Sequence, residues 1–113
     1  MRVSSKDQRA FALDVALLIL FINRSGYDCT GGEWHRTKEQ AEWNAKKGIG
    51  IVNSLHRERI AIDLNLFKDG DYLESTEDHR LFGTFWESLD PLNRWGGRFE
   101  DGNHYERCPE PWR

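Results

Sequence analysis

With 113 residues, the chain suits one compact domain and leaves little room for a second. Its 38% hydrophobic and 12% aromatic content supports a packed core and excludes a disordered tail. The 16 basic and 19 acidic residues are well mixed and give a formal net charge of −3, which leaves neither the footprint of a nucleic-acid binder nor a polybasic membrane anchor.

Ser5-x-x-Gln8 reads as a capping box opening a first helix, and Gly26 is placed to end it. Within it, Phe11 to Ile22 (FALDVALLILFI) follows a basic stretch, as the apolar part of a secretory signal would. Asp14 interrupts the run and no small-x-small cleavage site follows. The run is also shorter than the roughly 20 apolar residues a bilayer span needs. It is therefore expected to be a buried amphipathic helix, with no export signal and no stable membrane insertion. Tyr27 to Arg36 reads as a strand kinked at Gly31-Gly32. Thr37-x-x-Gln40 and Gly48 bracket a short helix over Lys38 to Lys47, and Gly48 to Ser54 is a loop.

The plainest strand comes next. Ile60, Ile62, Leu64 and Leu66 alternate with Ala61, Asp63 and Asn65, so the apolar set faces the core and Asp63 the opposite side. Asp69-Gly70 marks a hairpin turn into a short return strand, Asp71 to Leu73. Ser75 and Thr76 cap a further helix through about Leu89, closed off by Pro91. After Trp95-Gly96-Gly97, Asn103 to Arg107 reads as a last strand, and Pro109 and Pro111 mark an irregular tail. The expected fold class is α+β, with helices packed on a small, mainly antiparallel sheet. Cys29 and Cys108 are too few and too far apart for a zinc ribbon or a disulfide scaffold. They read as free thiols of a protein made in a reducing cytoplasm, with a disulfide left open if the first and last strands meet.

Four histidines are available as ligands: His35, His56, His79 and His104. A catalytic zinc takes three protein ligands and keeps a fourth position open, and the helical HExxH arrangement is absent. His56 precedes the strand that carries Asp63, and His104 lies on the last strand, three positions after Asp101. If those strands are neighbours, two imidazoles and one carboxylate converge on one ion. Such a trio also recurs by chance, and most histidines of a small domain are surface or hydrogen-bonded residues.

The segment Ser54-Leu55-His56-Arg57-Glu58-Arg59-Ile60-Ala61-Ile62-Asp63 resembles the SxHxxGxAxD signature of the M15 zinc peptidases, the D-alanyl-D-alanine carboxypeptidase and L-alanyl-D-glutamate endopeptidase group. Asp101-Gly102-Asn103-His104-Tyr105-Glu106 is similar to the family's DxxHxE element, and Trp95-Gly96-Gly97 to the WGG before it. Glu33-Trp34-His35-Arg36-Thr37 resembles the family's strand ending in Arg-Ser or Arg-Thr. The four elements run in the family's order from about Tyr27 to Glu106. The glycine between His and Ala is replaced by Glu58 or Arg59, so that loop departs from the family's shape.

The resemblance implies a hedgehog/DD-peptidase-like domain over residues 1–113, with an N-terminal helix (1–26), a catalytic core (27–107) and a tail (108–113). It implies one Zn2+ held by His56, Asp63 and His104, with Asp101 as general base. Zinc would lower the pKa of a water toward about 7 and polarise the scissile carbonyl. Arg36 is the candidate for stabilising the oxyanion or holding a substrate carboxylate. Ser54, Glu106 and Trp95 are candidate substrate or supporting contacts. The implied substrate is a peptidoglycan stem peptide, cut at the L-alanyl-D-glutamate bond by a compact phage or prophage endolysin that acts at the cell wall with a holin as partner. The alternatives are a D-alanyl-D-alanine carboxypeptidase and a non-catalytic, zinc-stabilised wall-binding module.

Plainer readings stand beside these. Arg36 also fits a surface ion pair, Asp101 an ordinary turn residue beside Gly102, and Trp95 core packing. Glu106 is a rival base, ranked second as an orienting or substrate contact. His35 is expected at the rim. His79, near a helix N-terminus that disfavours an imidazolium, is expected to be a neutral surface residue. Trp34, Trp43 and Trp86 read as packing residues.

Overall fold

The structure, a computed structural model, describes residues 3–34 and 60–113. The expected helix over Lys38 to Lys47, the loop after it, and His35, Arg36, Trp43, Ser54 and His56 lie outside the described residues.

Helix α1 (Ser5–Arg24) starts at N-cap Ser4, whose side chain accepts from the Asp7 N–H while Asp7 accepts from the Ser4 N–H. The box is thus one residue earlier than Ser5-x-x-Gln8, because an aspartate serves at the third helical position as a glutamine would. At the other end Gly26 (φ 88°) donates to the Asn23 carbonyl and Tyr27 to that of Ile22, a Schellman closure that needs a left-handed residue at Gly26. Between the caps, Phe11, Val15, Leu18 and Ile22 recur at helical spacing and are buried. Each contributes about 1.5–3 kcal/mol by leaving water. Asp14 falls in the same stripe; its carboxylate accepts from the Asn93 amide at 3.0 Å. The run that imitates a signal is therefore one wall of the core. Among the described residues, no helix is long and apolar enough to cross a membrane.

Strands β1 (Asp28–Gly31), β2 (Ala61–Lys68), β3 (Asp71–Leu73), β4 (Asn93–Trp95) and β5 (His104–Arg107) form one antiparallel sheet in the order β1-β2-β5-β4, with β3 paired to the far end of β2. Asp69 (φ 52°) and Gly70 (φ 84°) make the two-residue turn between β2 and β3, with both central residues left-handed, as the twist of a tight hairpin requires. The period of two in β2 is realised: Ile60, Ile62, Leu64 and Leu66 are fully buried, while Asp63 and Asn65 on the other face are not. Strand β4 and the 3-10 turn η1 (Gly96–Phe99) after it were not expected from the sequence.

Helix α2 (Thr76–Leu89) begins at N-cap Ser75, which accepts from the Asp78 N–H, and buries His79, Phe82, Gly83 and Trp86. Edge-to-face contacts join Phe11 to Trp86 and Trp86 to Tyr105, so α1, α2 and the apolar face of the sheet share one core. His79 corrects an expectation: it is 1% exposed, not a surface residue. Its position falls in the buried stripe of α2, where Nδ1 lies 2.7 Å from the Tyr105 hydroxyl and burial lowers its pKa.

Candidate metal centre

The candidate site lies on the face of the sheet away from the helices. Strand register sets them there: Ile62 pairs with Tyr105 on the core side, so their neighbours Asp63 and His104 pair on the other. The two are direct cross-strand partners, with His104 Nδ1 3.2 Å from Asp63 Oδ1. Two residues further along β5, Glu106 returns to the same face, and its Oε1 lies 2.7 Å from His104 Nε2. The imidazole therefore sits between two carboxylates. Burial pulls its pKa down, but the hydrogen bonds to Asp63 and Glu106 outweigh that and raise it to about 9. With both nitrogens protonated, both N–H groups donate.

Glu106 is nearly enclosed, its side chain 5% exposed, yet it stays ionised. Burial alone would raise its pKa; His104 and Arg94 outweigh burial and hold it below the usual range. Arg94 stands opposite Glu106 in the β4–β5 register, and its Nε and Nη2 donate to Oε2 at 2.7 and 2.5 Å. The Cys108 thiol also donates to Oε2, at 3.3 Å; burial and the adjoining carboxylate push its pKa up to about 12.

Asp101 lies one turn ahead of His104. Its carbonyl accepts from the His104 N–H at 3.1 Å, and its own N–H donates to the Gly96 carbonyl at 2.9 Å, which leaves an exposed residue beside the imidazole strand. Three glycines make that turn possible. A Cβ on Gly96 would meet the Asp101 carbonyl and His104 Cβ, one on Gly97 the Trp95 ring, and one on Gly102 the Thr76 backbone. Trp95 is 6% exposed, and its indole N–H donates to the Gly102 carbonyl at 2.7 Å. Its contacts here are those of a core residue that ties the turn down.

The structure therefore brings Asp63, His104, Glu106 and Asp101 to one end of the sheet, while Arg36, Ser54 and His56 fall outside the described residues. Among the described residues, however, no three His, Cys, Asp or Glu side chains are arranged so that they could hold a metal ion together. Asp63 Oδ1 and His104 Nδ1 are held 3.2 Å apart by their own hydrogen bond, close to the roughly 3.3 Å between two donors about 2.0–2.1 Å from a tetrahedral zinc ion; an ion there would take the place of the Nδ1 proton. A ligating histidine also characteristically gives its other N–H to a carboxylate, which is what Glu106 receives. Sequence reasoning missed Arg94, because a three-residue strand with arginine at its centre has no visible period. It also missed Phe99, whose exposed ring lies 5.9 Å from that of His104.

Neither a family model nor a curated protein matches the sequence. Among solved structures, the chain is similar to the L-Ala D-Glu endopeptidase ChiX of Serratia marcescens, with a TM-score of 0.70 and 15% identity over 96% of this chain and 90% of that one. It is also similar to the vancomycin-resistance D,D-pentapeptidase VanY of a VanB-type cassette, a structure in complex with Zn(II), with a TM-score of 0.60 and 16% identity over 86% of this chain and 70% of that one. The likeness is one of fold: an α+β architecture with helices packed on an antiparallel sheet.

Proposed function

We propose that the chain is a zinc-dependent peptidase that hydrolyses peptidoglycan stem peptides, at the L-alanyl-D-glutamate bond. One observation carries this reading: the cross-strand pair of Asp63 and His104, with donors at a separation suited to one shared ion and with Glu106 behind the imidazole. The fold shared with an L-Ala D-Glu endopeptidase and with a D,D-pentapeptidase bound to Zn(II) supports it. Asp63 and His104 would hold the ion together with His56, the third ligand by family resemblance. When bound, zinc supplies a Lewis acid that polarises a carbonyl and lowers the pKa of water toward about 7.

The remaining steps belong to the protein. Asp101, exposed and one turn from His104, accepts the proton of the attacking water and returns it to the leaving amine. Glu106 takes the His104 Nε2–H, so the imidazole keeps its orientation. Arg36 and Ser54, at the positions of the family's motifs, would contact the substrate carboxylate or the developing oxyanion. In this reading the chain works at the cell wall as a phage or prophage endolysin, with a holin opening the route through the membrane.

Mass spectrometry of purified peptidoglycan after digestion by the zinc-loaded protein tests the proposal. Stem peptides freed from their glycan at L-alanine are the expected product. Release of terminal D-alanine alone would replace the bond assignment with a D,D-carboxypeptidase. No new fragment at all, from protein that retains zinc, would leave a wall-binding module instead.

A further inference from the structure

The last residues of the chain reach the metal centre through a series of contacts. Glu106 can orient His104 only if its own carboxylate is fixed, and its Oε2 is occupied by Arg94 and by the Cys108 thiol. Oε1 is then the oxygen left to accept from His104 Nε2. Arg94 in turn has two aromatic rings beside it. Its guanidinium lies 5.3 Å from the Phe99 ring centre and 5.9 Å from that of Trp112, within reach of a cation–π contact. Trp112 also lies under Arg98 at 4.7 Å and Arg113 at 4.9 Å. Both arginines are anchored. Arg98 makes two 2.7 Å bonds to Glu87, and Arg113 donates to the Glu87, Asp90, Pro91 and Asn93 carbonyls at the end of α2 and the turn into β4. The tail is thus clamped to α2 with its Trp112 ring centre 5.9 Å from the Arg94 guanidinium.

We propose that Arg94, braced by Trp112 of the tail, is a positioning residue for the metal site: it fixes Glu106, which accepts the His104 Nε2–H and holds the imidazole with Nδ1 turned toward Asp63. This rests on the zinc reading above. Lysine would not serve in place of Arg94, because an ammonium cannot bring two nitrogens to one oxygen. Supporting partners of this kind commonly change metal affinity 10–100-fold.

Zinc affinity of the full chain, measured by competition with a chromophoric chelator, reads the effect without recourse to activity. Arg94→Met is expected to weaken zinc binding 10–100-fold, with activity restored by excess zinc. Trp112→Ala is expected to weaken it less, and Trp112→Phe, which keeps a ring over Arg94, to leave it near wild type. Proton NMR of the zinc-loaded chain is expected to show a His104 Nε2–H slow to exchange with water, and a faster-exchanging one in Arg94→Met. Should Arg94→Met fail to fold, Trp112→Ala against Trp112→Phe decides the matter alone. Wild-type protein that binds no zinc would overturn the metal reading itself. Wild-type affinity and unchanged exchange of the His104 Nε2–H in both Arg94→Met and Trp112→Ala would overturn only the role given to Arg94.

Discussion

Gly83 of α2 and Gly97 of η1 face the Trp95 indole, and neither has room for a methyl group. A Cβ at Gly83 would stand 2.1 Å from a ring atom and one at Gly97 2.3 Å, so either must displace a ring whose N–H is tied to the Gly102 carbonyl. Gly83→Ala and Gly97→Ala are each expected to destabilise the fold by about 1–3 kcal/mol, the usual cost of overpacking, as read from urea unfolding midpoints. A midpoint within error of wild type for both would show that the indole is free to shift. The Trp-Gly-Gly run was visible in the sequence as a motif, but not its reason. No spacing says that a glycine one helix away must also leave space for the ring. Gly32 is similar: the expected kink at Gly31-Gly32 corresponds to a close approach, because a Cβ there would lie 2.9 Å from the Asp63 carbonyl, whereas Gly31 has nothing within 4 Å. His79 failed for the opposite reason. Its charge preference was argued from the helix terminus, while its burial was set by the stripe it shares with Phe82 and Trp86.

Elements are joined at one buried cation. Arg107 of β5 donates to Asp7 in the first turn of α1 at 3.1 Å and to Asp90 at the end of α2 at 2.8 Å, with its side chain 9% exposed. Burial would raise the pKa of both carboxyls, but the hydrogen bonds from Ser4 and Arg107 to Asp7, and from the Leu92 N–H and Arg107 to Asp90, hold both below the usual value. A carboxylate with a depressed folded pKa contributes stability above its unfolded pKa and loses it as pH falls through the folded value. The melting temperature is therefore expected to hold near neutrality and to fall progressively below about pH 4. Arg107→Met is expected to lower stability by about 3 kcal/mol at neutral pH and to flatten that acid limb; an acid limb as steep as in wild type would place its cause elsewhere. Both described helices and the β2–β3 hairpin were legible in advance because their signals are local: caps, a turn pair and strict periods. The short β4 was not, since Asn93, Arg94 and Trp95 show no alternation and become a strand only by lying along β5.

At the scale of the whole molecule, the fold class followed from element types, whereas the sheet order did not. That β5 lies between β2 and β4 is a long-range fact, and it is what sets His104 opposite Asp63. The sequence supplied the candidate ligands and the likeness of their motifs; the register supplies the distance between two of them. A global measurement can therefore test the site. An ion that binds only the folded chain stabilises it by RT ln(1 + [L]/Kd), about 2.7 kcal/mol at a hundredfold excess over Kd. Zinc added to chelator-treated protein is expected to raise the melting temperature. Asp63→Asn is expected to shrink that rise: the side chain is 28% exposed, so the amide is accommodated, but it is a poorer ligand than the carboxylate. Asp101→Asn is expected to behave in the reverse way. The Asp101 carbonyl that accepts the His104 N–H is untouched by the substitution, so the zinc-dependent rise is expected to be retained while turnover falls about 10²–10⁴-fold with loss of the proposed general base. If Asp101→Asn abolishes the rise, Asp101 is a ligand rather than a base; if it leaves turnover intact, the proton is carried by another group, for which Glu106 is the nearest rival, hydrogen-bonded to the other imidazole nitrogen.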